Sequence, residues 1–308
     1  MEWLPIVQLS DYDSKLINEF KKLKTPYIVV INKDDEQHID NEKLAKIQDL
    51  KVDYLKTSAK FDKNFRQNFI NTLIKHVPED YFQAQNIVCD LINPKDIVVL
   101  VTPIDKQAPK GRLILPQVQV LRELLDNNVI SVVVQVEELK ETLEKLNKPP
   151  KLVITDSQAF NKVSEIVPDN VDLTSFSILF ARLKGDLKEF KNGAQAISNL
   201  QDNDKVLICE SCTHHQIEDD IGTVKIPNLI KKKTGKKIIF EHVASRDFPT
   251  DIEKYKLIIH CGACMTNRKE ILTRIQKSNE KHVPITNYGI TISYCLGILD
   301  RALKVFEK

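Results

Sequence analysis

The sequence predicts an α/β protein made of several parallel-sheet βα domains, and three observations carry the expectation. Short β-branched, apolar runs alternate with amphipathic stretches from one end of the chain to the other, the pattern of strands buried between layers of helices. No block reads as strands only or as helices only. At 308 residues, with 42% apolar and 29% charged content, the chain can bury cores for two or three domains.

Leu16, Ile17, Phe20 and Leu23 mark one apolar face of a first helix, and residues 27–32 (YIVVIN) form a buried strand. A helix over about 41–50, a strand over 52–56 and a helix over about 64–75 follow, and Pro78, Glu79 and Asp80 close the region. A second region gives strands over 97–101, 130–136 and 152–155, with helices near 117–125 and 138–146; Pro149 and Pro150 end the latter helix. Three short strands leave a sheet edge that needs pairing or covering, which predicts a homodimer through this region. The third region opens near Phe176 on a long amphipathic stretch through Leu183, Leu187, Phe190, Ala194 and Ile197. Strands over 205–209, 237–240, 256–260 and 283–286, a helix near 268–276 and a closing helix from about Ile290 complete it. The expected domains are 1–81, 82–176 and 177–308.

Charge excludes one class of partner. With 45 basic and 43 acidic residues the net charge is +2, too small to supply the phosphate attraction of a nucleic-acid binder. The run Lys231 to Lys233 with Lys236 and Lys237 reads as a solvated helix end and loop. No stretch approaches the ~18 apolar residues of a membrane span and no signal-peptide pattern opens the chain, so a cytoplasmic location is expected. In that reducing compartment, Cys-x-x-Cys spacing favours metal or redox chemistry over disulfides.

The strand over 27–32 ends in Asn32-Lys33-Asp34-Asp35, which fits the N-K-x-D element by which GTP-binding P-loop proteins recognise guanine. Asp35 can accept from the base N1–H and exocyclic amine together, Asn32 can reach N7, and the Lys33 stem can lie along the ring. The next strand ends in Thr57-Ser58-Ala59-Lys60, the position and wording of the T-S-A-K loop of the same proteins, so Ser58, Ala59 and Lys60 join the candidate nucleotide site. Either motif alone is equally well read as a loop whose Asn and Asp cap a helix. No G-x-x-x-x-G-K-[ST] occurs in the sequence, so it offers a guanine reader without an evident seat for the triphosphate or Mg²⁺.

Of six cysteines, Cys89 and Cys295 stand alone in apolar surroundings and are expected in the core. The other four follow predicted strands, as Cys209-Glu210-Ser211-Cys212-Thr213-His214 and His260-Cys261-Gly262-Ala263-Cys264. Ligands gather beyond the carboxyl ends of strands in an open α/β sheet, so these loops can meet, with Asn287-Tyr288-Gly289 as a third. Two Cys-x-x-Cys pairs also suit structural zinc, although their long spacer is unlike that of compact ribbons.

The order Cys212-x-His214 followed by His260-Cys261-x-x-Cys264 resembles the C-x-H and H-C-x-x-C signature of the HydF family, the maturation GTPases of iron-iron hydrogenases. Residues 102–105, 108–114, 151–157 and 286–294 resemble the same family, so the likeness runs from about Pro26 onward. The first 25 residues match poorly, and the absent P-loop is the main departure. The resemblance implies a GTPase domain, a dimerising α/β domain and a cluster domain. It further implies a scaffold that carries a 4Fe-4S cluster on Cys212, Cys261 and Cys264, takes a diiron subcluster as cargo from radical maturation enzymes and passes it to apo iron-iron hydrogenase. GTP or GDP with Mg²⁺ would be bound by a full-length form that supplies the P-loop. Three thiolates leave one iron without a cysteine, and His214, His260, Glu210 or an outside donor are the candidates there. Cys209 departs from the signature and is expected to pack in the core. An iron-sulfur redox protein with four fixed ligands and a zinc-stabilised nucleotide-binding protein are the competing readings.

Overall fold

A computed structural model describes the chain except for residues 1, 7–9, 23–24, 36–40, 50–51, 61–62, 78–84, 105–110, 211–219, 245–247, 265 and 308. Contacts divide it into Met1–Ala84 and Gln85–Lys308.

The first unit holds β1 (Glu2–Ile6), α1 (Asp11–Lys22), β2 (Tyr27–Ile31), α2 (Asn41–Asp49), β3 (Tyr54–Lys56) and α3 (Phe65–His76). All strands run parallel in the order β1-β2-β3. Ser10 and Asp13 close the start of α1: the Asp13 carboxylate accepts from the Ser10 backbone N–H at 2.8 Å, and the Ser10 hydroxyl accepts from the Asp13 N–H at 3.2 Å. Val29, Ile31 and Ile47 form the core under β2. β1 has no counterpart in the sequence expectation. Its Pro5 argues against a strand interior, but β1 lies at the sheet edge, where one side needs no ladder donor.

The second unit begins with β4 (Ile97–Val101), α4 (Leu115–Asp126), β5 (Ile130–Val134), α5 (Val136–Lys145), β6 (Leu152–Thr155), α6 (Phe160–Ile166), β7 (Asp172–Ser175) and α7 (Phe176–Lys184). Its parallel sheet runs β5-β4-β6-β7, four strands where three are expected. The long amphipathic stretch of the sequence is two helices, α7 and α8 (Leu187–Gln195), because the Asp186 carboxylate accepts from the N–H groups of Lys188 and Glu189 at 2.9 and 3.0 Å and caps a new helix.

β8 (Lys205–Glu210), α9 (Ile226–Thr234), β9 (Ile239–Ala244), β10 (Leu257–His260), α10 (Arg268–Glu280), β11 (Ile285–Asn287), α11 (Tyr288–Leu296) and α12 (Leu299–Leu303) follow. They build a second parallel sheet in the order β11-β10-β8-β9. β8 and β10 are central, and β10 is buried throughout, so its apolar residues each contribute about 1.5–3 kcal/mol. One core joins both sheets: Val99, Val153 and Leu173 belong to the same cluster as Leu207, Ile258 and Ile285. Among the described residues, no helix is long and apolar enough to cross a membrane.

Candidate metal centre

Register in the second sheet decides which loops meet. Parallel pairing sets Cys209 of β8 opposite His260 of β10, and His260 opposite Asn287 of β11. The Cys261 N–H continues the ladder by donating to the Cys209 carbonyl at 2.9 Å. The Cys261–Cys264 loop therefore leaves the sheet beside the end of β8, from which the chain proceeds toward Cys212. Cys212 and His214 themselves lie outside the described residues, as do residues 78–80 and 105–110 of the sequence reading.

The loop turns at Ala263, whose φ of 55° is left-handed and which is buried. Its carbonyl accepts from the Thr266 N–H at 3.0 Å. The Asn267 side chain then caps α10 by accepting from the Glu270 N–H at 2.8 Å. Cys261 and Cys264 are half-buried. Two thiols three positions apart, on an ordered turn leading into a capped helix, fit a thiolate clamp for an iron-sulfur cluster. Among the described residues, no three His, Cys, Asp or Glu side chains gather as a metal site.

His260 is buried, and both of its ring nitrogens have partners. Nδ1 lies 2.9 Å from the Cys261 carbonyl oxygen, and Nε2 lies 2.9 Å from Nη1 of Arg274. Arg274 is itself buried, and its Nε and Nη2 donate to the Glu270 carboxylate at 3.1 and 2.7 Å. Cys209 sits in the core, where burial pushes its thiol up to about 12, with the Arg274 charge opposing and Cys261 adding to the shift.

Across the end of β8, the Tyr288 hydroxyl donates to the buried Glu210 carboxylate at 2.8 Å. Burial raises the Tyr288 pKa, and the negative charge of Glu210 adds to the effect. Gly222 makes that pair possible: a Cβ there would stand 2.3 Å from Tyr288 Oη and 2.6 Å from Glu210 Oε1. Asp220, also buried, accepts from the Thr223 N–H at 2.8 Å and starts the turn into α9. Of the described flanks of the Cys212 segment, Glu210 belongs to β8 itself, and Gly222 on the other side packs against the Tyr288–Glu210 pair.

In the first unit the Asn32–Asp35 and Thr57–Lys60 segments come together. The Asn32 side chain accepts from the Ala59 N–H at 3.0 Å, and the Asp34 N–H donates to the Thr57 carbonyl at 3.2 Å. Lys33, with φ of 62°, is exposed, as are Asp35 and Lys60, while Ser58 is half-buried.

Sequence reasoning did not single out Arg274 or Asp220. Arg274 carried a signal: it occupies the buried stripe of α10 with Ile271, Ile275 and Ser278, a core position that a charged residue takes only with partners.

A family model described as the hydrogen maturase F dimerization domain matches residues 87–185. A second, described as the hydrogen maturase F tetramerization domain, matches residues 188–305. No curated protein matches the chain.

Proposed function

Because this chain belongs to the HydF family of hydrogen maturases, carrying both its dimerization and its tetramerization domain, we propose that it is an oligomeric scaffold of hydrogenase maturation with a 4Fe-4S cluster on Cys212, Cys261 and Cys264. One observation supports the reading above all. Register puts the Cys261–Cys264 loop directly beside the end of the strand that leads to Cys212, at the carboxyl edge where ligands of open α/β sheets gather. The capped start of α10 adds a partial positive charge that favours an anionic thiolate cluster. Such a cluster, held by three thiolates, offers one iron that takes an exchangeable ligand. On this reading the cargo is a diiron subcluster, taken from radical maturation enzymes and given to apo iron-iron hydrogenase.

Anaerobically purified chain should contain iron and sulfide rather than zinc, and the reduced form should give an EPR signal. Serine in place of Cys212, Cys261 or Cys264 should abolish stable cluster reconstitution. Wild-type iron and sulfide in all three variants would remove the assignment.

The first unit reads guanine on this proposal through Asn32, Lys33 and Asp35, with Ser58, Ala59 and Lys60 as the second loop. The contact between Asn32 and Ala59 supports it, since it holds the two motifs as one surface. A form that also contains a P-loop should bind GDP, with Mg²⁺ at the phosphates of GTP. In that form Asp35→Asn should shift preference toward xanthine nucleotides, because an amide offers one donor and one acceptor where a carboxylate accepts twice. Competition binding of GDP and XDP reads the shift, and equal affinities in both forms would count against a guanine reader.

A further inference from the structure

Glu270, Arg274, His260 and the Cys261 carbonyl form a single chain of hydrogen bonds through the interior of the domain. Its direction is fixed at one end. A guanidinium is always protonated and can only donate, so Nε2 of His260, 2.9 Å from Nη1 of Arg274, must be the acceptor. The ring hydrogen is then on Nδ1, and Nδ1–H donates to the Cys261 carbonyl at 2.9 Å. Arg274 is in turn held by Glu270 through two donors and lies over the Phe248 ring, 5.5 Å from its centroid. Its rotamer is therefore set from three sides.

We propose that Arg274 is a positioning residue for the metal loop: by fixing the His260 tautomer, it pins the Cys261 peptide and hence the orientation of the Cys261–Cys264 turn. His260 then supports a ligand from behind and does not itself bind iron, since its Nε2 is committed to a cation and its Nδ1 to a carbonyl. The inference rests on the reading of Cys261 and Cys264 as cluster ligands. It adds a residue from α10, outside the H-C-x-x-C segment. Lysine cannot replace Arg274, because one ammonium on a flexible stem does not reproduce a planar fork that serves His260 and Glu270 at once.

Two measurements test it. In the apo chain labelled with ¹⁵N-histidine, the resonance lost in His260→Asn should show a protonated Nδ1 and an accepting Nε2. The opposite tautomer overturns the proposal, and this arm needs no cluster. In reconstituted protein, Arg274→Lys should lose iron to a chelator about 10-fold faster than wild type, the low end for outer-shell changes, with a shifted EPR signal of the reduced cluster. Iron loss and spectrum both equal to wild type overturn it. If Arg274→Lys does not fold, the tautomer arm decides alone. Wild-type chain that takes up no iron and sulfide would instead sink the cluster reading and leave the tautomer measurement to stand by itself.

Discussion

Cys89, Cys209 and Cys295 share one physical situation: each thiol is pushed up to about 12, with burial as the leading cause. At Cys89 the Glu123 charge adds to the effect, and its thiol also donates to the Glu123 carbonyl at 3.4 Å. The nucleophile is the thiolate, and at pH 8 a thiol with such a pKa is ionised to only about one part in ten thousand. These three cysteines should therefore resist alkylation by iodoacetamide in the folded apo chain at pH 8 and react fully once denatured. Peptide mass spectrometry reads the outcome, and labelling of Cys209 at the rate of a free thiol would contradict its place in the core. The sequence made Cys209 legible because it ends an apolar strand. Arg274 was legible only in part: its spacing from Ile271 and Ile275 sets it on the apolar face of α10, but its partners His260 and Glu270 come together only through packing.

The dimerization domain presents one strand differently from the rest. β7, at one side of its sheet, is buried along its whole length, and Arg301 of α12 donates to the Ser164 and Pro168 carbonyls just before it. β5, at the other side, pairs with β4 alone among the described strands and leaves Ile130 and Val133 exposed at 52% and 43%. An apolar, unpaired edge is a template for a second copy of itself. Val133→Lys should therefore weaken the dimer about 10-fold or more, corresponding to ~1.4 kcal/mol, without unfolding the protomer. Sedimentation against protein concentration checks it, and an unchanged association would place the interface elsewhere. At this scale the sequence reads well where a strand is a continuous apolar run, largely β-branched in β4 and β6 and Val206–Cys209 in β8. It failed at β7, whose four residues Asp172–Ser175 are mostly polar and are buried by packing against α7, α12 and β6. α6 escaped for a related reason: its seven residues are too short to show a clear 3.6 period.

The two family domains of the second unit do not meet as separate bodies. Besides their common core, the first turn of α10 reaches into the dimerization domain, where Nη1 of Arg268 lies 3.3, 2.7 and 3.0 Å from the carbonyl oxygens of Arg182, Leu183 and Gly185. Those carbonyls end α7 and have no partner within their own helix, so the guanidinium supplies the missing donor and a favourable charge at a helix C-terminus. The Asn287 amide adds a bond to the Ser177 carbonyl at 3.3 Å, and Gly289 leaves room for the Ser177 side chain, whose Oγ would stand 2.2 Å from a Cβ there. Arg268 follows Cys264 by only four positions, so the Cys261–Cys264 loop is anchored to the segment matched by the dimerization-domain model. Removing the guanidinium leaves carbonyls at a part-buried helix end without a donor, which costs about 1–3 kcal/mol. For a unit of this size each kcal/mol lowers Tm by about 2–4 °C. Arg268→Ala should thus lower the Tm of residues 85–308 by several degrees, and the wild-type unit should unfold in one calorimetric transition because its two sheets share a core. Two separate transitions in the wild type would contradict the shared core, and a Tm indifferent to Arg268→Ala would show that its guanidinium does not stabilise the junction.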